Sequence, residues 1–288
     1  MKKLNSIIKY IFPFPSLPNN APAFMIIGAQ KAGTTALYSF LSQHPGILAT
    51  KPKEIHFFNC ENRYSQGLEF YHAHFPLTET KQMTFDASPG YLSNPLAAKR
   101  IYTYNPHIKI IIILRDPVKR AFSAWNMYKG RYLRNENWFF NDWIPFCSPK
   151  YIEFKQRAKA SIFNFEQYVL EEIEAQKKIG AYNLEAAILS HGFYAEQIER
   201  FYTYFPRKNI LILENSELKS NTIGNLKKVE KFLGLQSHDW STSDLSPVFE
   251  GDYNHVTIEE CISSFLSQYY RPHNQKLYKL LGKDYAWS

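Results

Sequence analysis

Between Phe24 and Pro45 the chain reads FMIIGAQKAGTTALYSFLSQHP. An apolar run, a loop with glycines at Gly28 and Gly33 and an amphipathic stretch follow one another without interruption. No other feature constrains the fold as much, because a buried strand that turns through a glycine loop into a helix is the opening unit of a parallel α/β domain. The loop also implies a chemistry. Backbone N–H groups at the start of a helix attract anions, and glycine lets the backbone close around them. Gly28 and Gly33 keep the spacing of the nucleotide pattern G-x-x-x-x-G-K-[ST], but Thr34 stands at the lysine position and Lys31 lies inside the loop. An anion is therefore expected here, in a loop unlike that of an ATP-hydrolysing enzyme. Gly28, Gln30, Lys31, Ala32, Gly33, Thr34 and Thr35 are the candidate binding residues, with Lys31 a point charge and the threonine hydroxyls donors.

Further strand-like runs lie at Gly46–Thr50, Met83–Asp86, Lys109–Leu114 and Ile210–Leu213. They are continuously apolar instead of alternating, as in strands covered on both faces. Helical patterns occupy Gly33–Gln43, Pro117–Tyr128, Phe163–Lys178, Phe193–Tyr204, Asn225–Leu233 and Gln275–Leu281. Alternation of the two predicts a three-layer α/β fold with a central, mostly parallel, five-stranded sheet. One domain is expected over residues 23–288, preceded by a basic and apolar segment with a linker over residues 1–22. The mixed run Glu171–Lys178 reads as a solvated helix face.

Ligands in such folds sit beyond the carboxyl ends of the strands. After KIIIIL comes Arg115-Asp116-Pro117, in which Pro117 suits a first helical position and Asp116 the cap before it. Arg115 at the strand end offers a fork for a phosphate. Ser123, two turns on, lies off the apolar face of Val118, Ala121, Phe122 and Trp125, where its hydroxyl can assist. After the second strand comes KPKEIHFFN. Glu54 and His56 share one face of an extended segment among apolar neighbours, as a general base and its orienting partner would.

The formal net charge of +8 favours an anionic ligand, polymer or surface. No nucleic-acid recognition motif is present. Cys60, Cys147 and Cys261 fit neither a disulfide framework nor a zinc spacing, which suggests a reducing compartment. His72 and His74 share a face if extended, but no third ligand accompanies them, so no metal is expected. Residues 1–15 put Leu4, Ile7, Ile8, Ile11 and Phe12 on one helical face, expected to dock on its own domain or stay disordered in preference to lying on a membrane; membrane contact, if any, would be peripheral and made there. The segment Trp125–Trp138, aromatic and basic, suits the border of an acceptor site for sugars and their anionic substituents. Gly192 and Tyr194 open an amphipathic helix carrying Ile198, Phe201, Tyr202 and Phe205.

Together, GAQKAGTTALYSFLSQHP, KEIHFFN, DASPGY, IIIILRDPVKRAFSAW and RPHNQKLYKLLGKDYAW resemble the PAPS-dependent sulfotransferases, in the branch of the heparan sulfate N- and O-sulfotransferases and their bacterial relatives. The resemblance runs from about Phe24 to Trp287. It implies a P-loop nucleotide-hydrolase-like sulfotransferase fold and transfer of a sulfuryl group from 3′-phosphoadenosine 5′-phosphosulfate (PAPS), without a metal. The acceptor would be a hydroxyl or amine of a saccharide, or else of a small molecule or lipid head group. By the same resemblance Lys31, Gly33, Thr34 and Thr35 hold the phosphosulfate, Arg115 and Ser123 the 3′-phosphate, and Glu54 is the base with His56 beside it. A P-loop kinase or NTPase is the competing class. Two departures stand out: Ala87 replaces a lysine frequent in relatives acting on heparan sulfate, and FEGDYNHVT lacks the Lys-Gly-Arg of their nucleotide-covering loop. Phe249 or Tyr253 would then stack on the adenine. The disulfide of secreted relatives is also missing, so a cytoplasmic, bacterial enzyme is expected.

Overall fold

The computed structural model of the chain describes residues 17–77, 82–140, 161–184, 186–246, 248 and 257–287. The candidate membrane-facing residues 1–15, together with Phe249 and Tyr253, lie outside them. Five strands form one sheet: β1 (Phe24–Gly28), β2 (Ile47–Ala49), β3 (Met83–Ala87), β4 (Lys109–Leu114) and β5 (Ile210–Glu214). Their order is β2-β3-β1-β4-β5 and every pairing is parallel. All five residues of β1 are buried, as are the last five of β4, which is why these segments carry no polar alternation. The chain leaves β1 toward β2 and β3 on one side and leaves β4 toward β5 on the other. The crevice beyond the carboxyl ends of β1 and β4 is therefore the switch point where ligands bind.

The helices that cover the sheet and frame this crevice are α1 (Thr34–Leu41), α2 (Gly90–Ser93), α3 (Ala97–Tyr104), α4 (Pro117–Arg134), α5 (Phe165–Ile179), α6 (Tyr194–Tyr204), α7 (Asn215–Ser220), α8 (Thr222–Leu233) and α9 (Glu260–Leu281). One core surrounds the sheet; a second, aromatic cluster packs Val118, Ala121 and Trp125 of α4 against Phe165 and Tyr168 of α5 and Leu266 and Tyr270 of α9. Asp116 caps α4 as predicted, its Oδ1 accepting from the N–H of Val118 at 2.8 Å and of Lys119 at 3.3 Å.

Two expectations need correction, and some short helices were not read from the sequence. The final helix does not begin at Gln275; α9 runs for 22 residues straight through Pro272. A proline removes one ladder bond, but buried Leu266, Tyr270, Asn274 and Leu277 repeat at helical spacing on both sides of it and hold the rod together. The run Glu171–Lys178 is not uniformly solvated either. Glu172 is 0% exposed, and its carboxylate accepts from the N–H groups of Ile188 (2.7 Å), Leu189 (2.8 Å) and Ser190 (3.4 Å). Fully buried Arg120 of α4 donates to the carbonyl of Ile188, so this loop is clamped from both sides. Finally, α3 and α7 escaped the sequence reading because neither carries a long apolar stripe. The turn before α3 is set by Asn94, whose Oδ1 accepts from the N–H of Leu96 (2.9 Å) and Ala97 (3.1 Å).

Candidate active site

The loop after β1 is built by close backbone approach. A Cβ on Gly28 would sit 2.6 Å from the Cβ of Leu92, so no other residue fits between the strand and α2. Lys31 (φ 66°) and Gly33 (φ 103°) adopt left-handed conformations that curl the segment, and Asn215 holds it by donating to the Ala32 carbonyl at 2.8 Å. Gly33 precedes α1 without a side-chain cap, and the first turn of α1 holds no acidic residue. The leading N–H groups of an eight-residue helix are thus left to an anion. Thr34 is buried and Thr35 exposed, so the two hydroxyls differ in access.

Arg115 closes the far side. Its Nη1 donates to the Lys31 carbonyl at 2.9 Å, which ties the end of β4 to the loop. The phenol of Tyr128, on α4, donates to Gln30 Oε1 at 3.1 Å. Ser123 is 7% exposed and already has a partner, whereas Phe122 is only partly buried. The free hydroxyl expected from the helical pattern is therefore a buried one, because α4 is covered both by the site and by the second core cluster.

Glu54 and His56 meet, but not along an extended segment, because His56 takes a left-handed φ of 54°: Glu54 Oε2 lies 2.9 Å from His56 Nε2, and Lys53 Nζ donates to Glu54 Oε1 at 3.0 Å. The other ring nitrogen of His56 faces Asn59 Oδ1 at 3.3 Å. Burial pushes the Glu54 carboxyl up, but the His56 hydrogen bond and the Lys53 charge outweigh it and bring it down to about 2. Glu54 is thus a carboxylate throughout the neutral range. The short helix α2 separates base and loop: Leu92 presses on Gly28, while a Cβ on Gly90 would lie 3.6 Å from His56 Nδ1.

Two features of the site carried no residue role in the sequence, although DASPGY was quoted for the resemblance and Arg131 lies in the segment Trp125–Trp138. The first is the motif DASPGY, which positions Glu54 and His56. Asp86 is 0% exposed and accepts from Ser88 Oγ (2.7 Å), Tyr91 OH (2.6 Å) and Tyr71 OH (3.0 Å). Ser88 Oγ in turn accepts from the N–H groups of Ile55 (3.0 Å) and His56 (3.1 Å), and Tyr91 OH from that of Phe57 (3.0 Å). A carboxylate at the end of β3 therefore fixes the backbone that presents Glu54 and His56. The available signal was a polar Asp-x-Ser at a strand end, where ligand-side residues belong. Ser88→Ala removes the acceptor for two buried N–H groups and is expected to cost about 2 kcal/mol, lowering Tm by roughly 4–8 °C; an unchanged Tm would contradict this role. The second feature is Arg131, one turn beyond Tyr128 on α4. Burial lowers its guanidinium from the ordinary value, and the nearby Tyr128 and Glu54 act in the opposite direction. A cation is thus held within electrostatic reach of the base.

His72 and His74 are not extended. They end a helical turn and diverge, His72 Nε2 to Tyr104 OH at 3.0 Å and His74 Nδ1 to the Phe70 carbonyl at 2.8 Å.

An uncapped helix behind a glycine loop, an arginine at the neighbouring strand end and a carboxylate–imidazole pair beside them are the groups that could hold a phosphorylated ligand and take a proton from a second one. The chain belongs to the sulfotransferase domain family, whose model matches residues 21–251, and it is a sulfotransferase. It is 31% identical to the human bifunctional heparan sulfate N-deacetylase/N-sulfotransferase 3 over 91% of its own length and 30% of that protein's, so it spans about a third of that relative. It is 25% identical to mouse heparan sulfate glucosamine 3-O-sulfotransferase 5, over 94% of this chain and 75% of that one. The crystal structure of a sulfotransferase from Alicyclobacillus acidocaldarius superposes with a TM-score of 0.65 at 25% identity, covering 92% of this chain and 98% of that one. The sheet order and the loop after β1 therefore belong to the P-loop-like sulfotransferase fold.

Proposed function

We propose that the chain transfers the sulfuryl group of PAPS to a hydroxyl or amine of a saccharide acceptor, with Glu54 as general base. The observation that carries this reading is the uncapped N-terminus of α1 behind a loop whose Lys31 carbonyl is held by Arg115. Two cations then flank the crevice at the switch point, matched to a nucleotide with anionic groups at two separate ends. Lys31, Gly33, Thr34 and Thr35 would face the phosphosulfate, with Gly28, Gln30 and Ala32 shaping the loop. Arg115 and Ser123 would face the 3′-phosphate.

The reaction is an in-line displacement at sulfur. The acceptor O–S (or N–S) bond forms as the bond from sulfur to the phosphate oxygen breaks, the acceptor proton passes to Glu54, and adenosine 3′,5′-bisphosphate leaves. Charge grows on the departing phosphate oxygen, where Lys31 offsets it. Glu54, tied to Lys53 and His56, holds a proton weakly. An arriving acceptor that displaces Lys53 strengthens it as a base at the moment of transfer. Arg131 is the cation that anionic substituents of a glycan would meet. The heparan sulfate relatives support a glycan acceptor. A cytoplasmic setting belongs to the same reading, and any membrane contact is assigned to residues 1–15. Among the described residues no helix is long and apolar enough to cross a membrane.

The test is to titrate adenosine 3′,5′-bisphosphate and ATP against the protein with a chelator present, then to follow PAPS-dependent sulfation of a glycan panel by mass spectrometry. Preference for the bisphosphate without a metal supports the reading. Binding of ATP alone, or only with magnesium, would return the chain to the kinase and NTPase class.

A further inference from the structure

The C-terminal tail reaches elements that follow the carboxyl ends of β4 and β5. Past Leu281 the chain turns at Gly282 (φ 67°), and Lys283 pairs with Glu217 of α7. Tyr285 and Trp287 stack at 4.8 Å and 18°, and the Trp287 backbone N–H donates to Tyr278 OH at 3.2 Å. The indole of Trp287 then meets the ring of Tyr194 edge-on, 5.8 Å between centroids at 66°. Tyr194 is 1% exposed, and its hydroxyl donates to the Arg115 carbonyl at 2.7 Å. Arg115 reaches on to the Lys31 carbonyl at 2.9 Å. An unbroken line of contacts therefore joins the penultimate residue of the chain to the arginine at the end of β4.

We propose that Trp287 is a positioning residue for the donor. By packing on Tyr194 it fixes the backbone from which the Arg115 guanidinium is aimed at the 3′-phosphate. The proposal rests on the reading of the donor given above. Its physical basis is preorganisation: an arginine braced at its own carbonyl and at its guanidinium loses less freedom when a phosphate arrives. The contacts of the tail run to Glu217, Tyr278 and Tyr194, and through Tyr194 to Arg115, so its influence is expected at the bisphosphate end.

Calorimetric titration of the full chain with adenosine 3′,5′-bisphosphate and with adenosine 5′-monophosphate separates the possibilities. In the wild type, preference for the bisphosphate tests the donor reading by itself; without that preference both proposals fall. Given that preference, Trp287→Ala is expected to weaken bisphosphate binding about 3- to 10-fold, the range an edge-on aromatic pair supports, and to leave monophosphate binding unchanged. Trp287→Phe should restore most of the loss. Tyr194→Phe, which keeps the ring and removes only the hydroxyl, should reproduce the selective loss. Equal weakening of both nucleotides, or unaltered bisphosphate binding in Trp287→Ala, would overturn the role of the tail and leave the donor reading intact.

Discussion

Turnover of the Glu54→Gln variant is expected to fall at least about 100-fold, the lower end of what a general base contributes, while adenosine 3′,5′-bisphosphate binds within about twofold of the wild type. The separation follows from the layout. Glu54 contacts Lys53 and His56, and α2 stands between that segment and the loop, so the amide removes proton acceptance without touching the phosphate contacts. Steady-state kinetics with the isolated product titrated in parallel would check it, and near-normal sulfation would remove Glu54 from the role of base. The same carboxyl sets a pH expectation. Its folded value, about 2, lies below the ordinary 4.5, so the stabilisation from its pairing is complete above the ordinary value and is lost as pH falls toward 2. Wild-type kcat/KM should therefore show no acidic limb from this group above about pH 3. In His56→Ala the burial that raises it persists while its strongest lowering partner is gone. The limb should then climb toward or beyond the ordinary carboxylate range. A limb that stays put would mean that His56 does not tune the base.

Lys31→Ala should also slow turnover at least about 100-fold, because one preorganised donor aimed at developing charge is commonly worth ~3 kcal/mol. The effect belongs to the transition state. Charge on the phosphate oxygen grows only as the bond to sulfur breaks, so kcat should drop further than donor affinity. Lys31→Arg retains charge but not the compact ammonium, and should recover part of the rate. Single-turnover measurements would separate chemistry from product release. A loss confined to KM, with kcat intact, would make Lys31 a binding residue and nothing more.

The fold was legible because its strands are uniform. KIIIIL and FMIIG have no polar interruption, and only burial on both faces accommodates them. The donor loop was legible for the same kind of reason: Gly28 and Gly33 are demanded by a contact with Leu92 and by a left-handed turn, and such demands leave glycine in the sequence. Glu54 and His56 were recoverable as close neighbours in the chain, although a left-handed His56, not an extended segment, brings them together. What could not be read were contacts between distant segments. Glu172 sits in a run of charges and looks solvated, yet it serves three backbone N–H groups that lie 16 to 18 residues further on. Asp86 and Ser88 read as a strand end, and their service to the base appears only when β3 lies beside the loop after β2. The last helix was read only from Gln275 on, whereas core contacts on both sides of Pro272 carry it from Glu260.

Helix α4 runs unbroken from Pro117 to Arg134, 18 residues or about 27 Å of rod. It starts at the strand end that supplies Arg115, passes Gln30 through Tyr128, and delivers Arg131 to the neighbourhood of the base. One continuous helix therefore joins the strand end that carries Arg115 to the surroundings of Glu54. Its last two turns are also the natural place to retune acceptor choice, since residues beyond Tyr128 can be exchanged while the capped first turn and the arginine before it stay as they are.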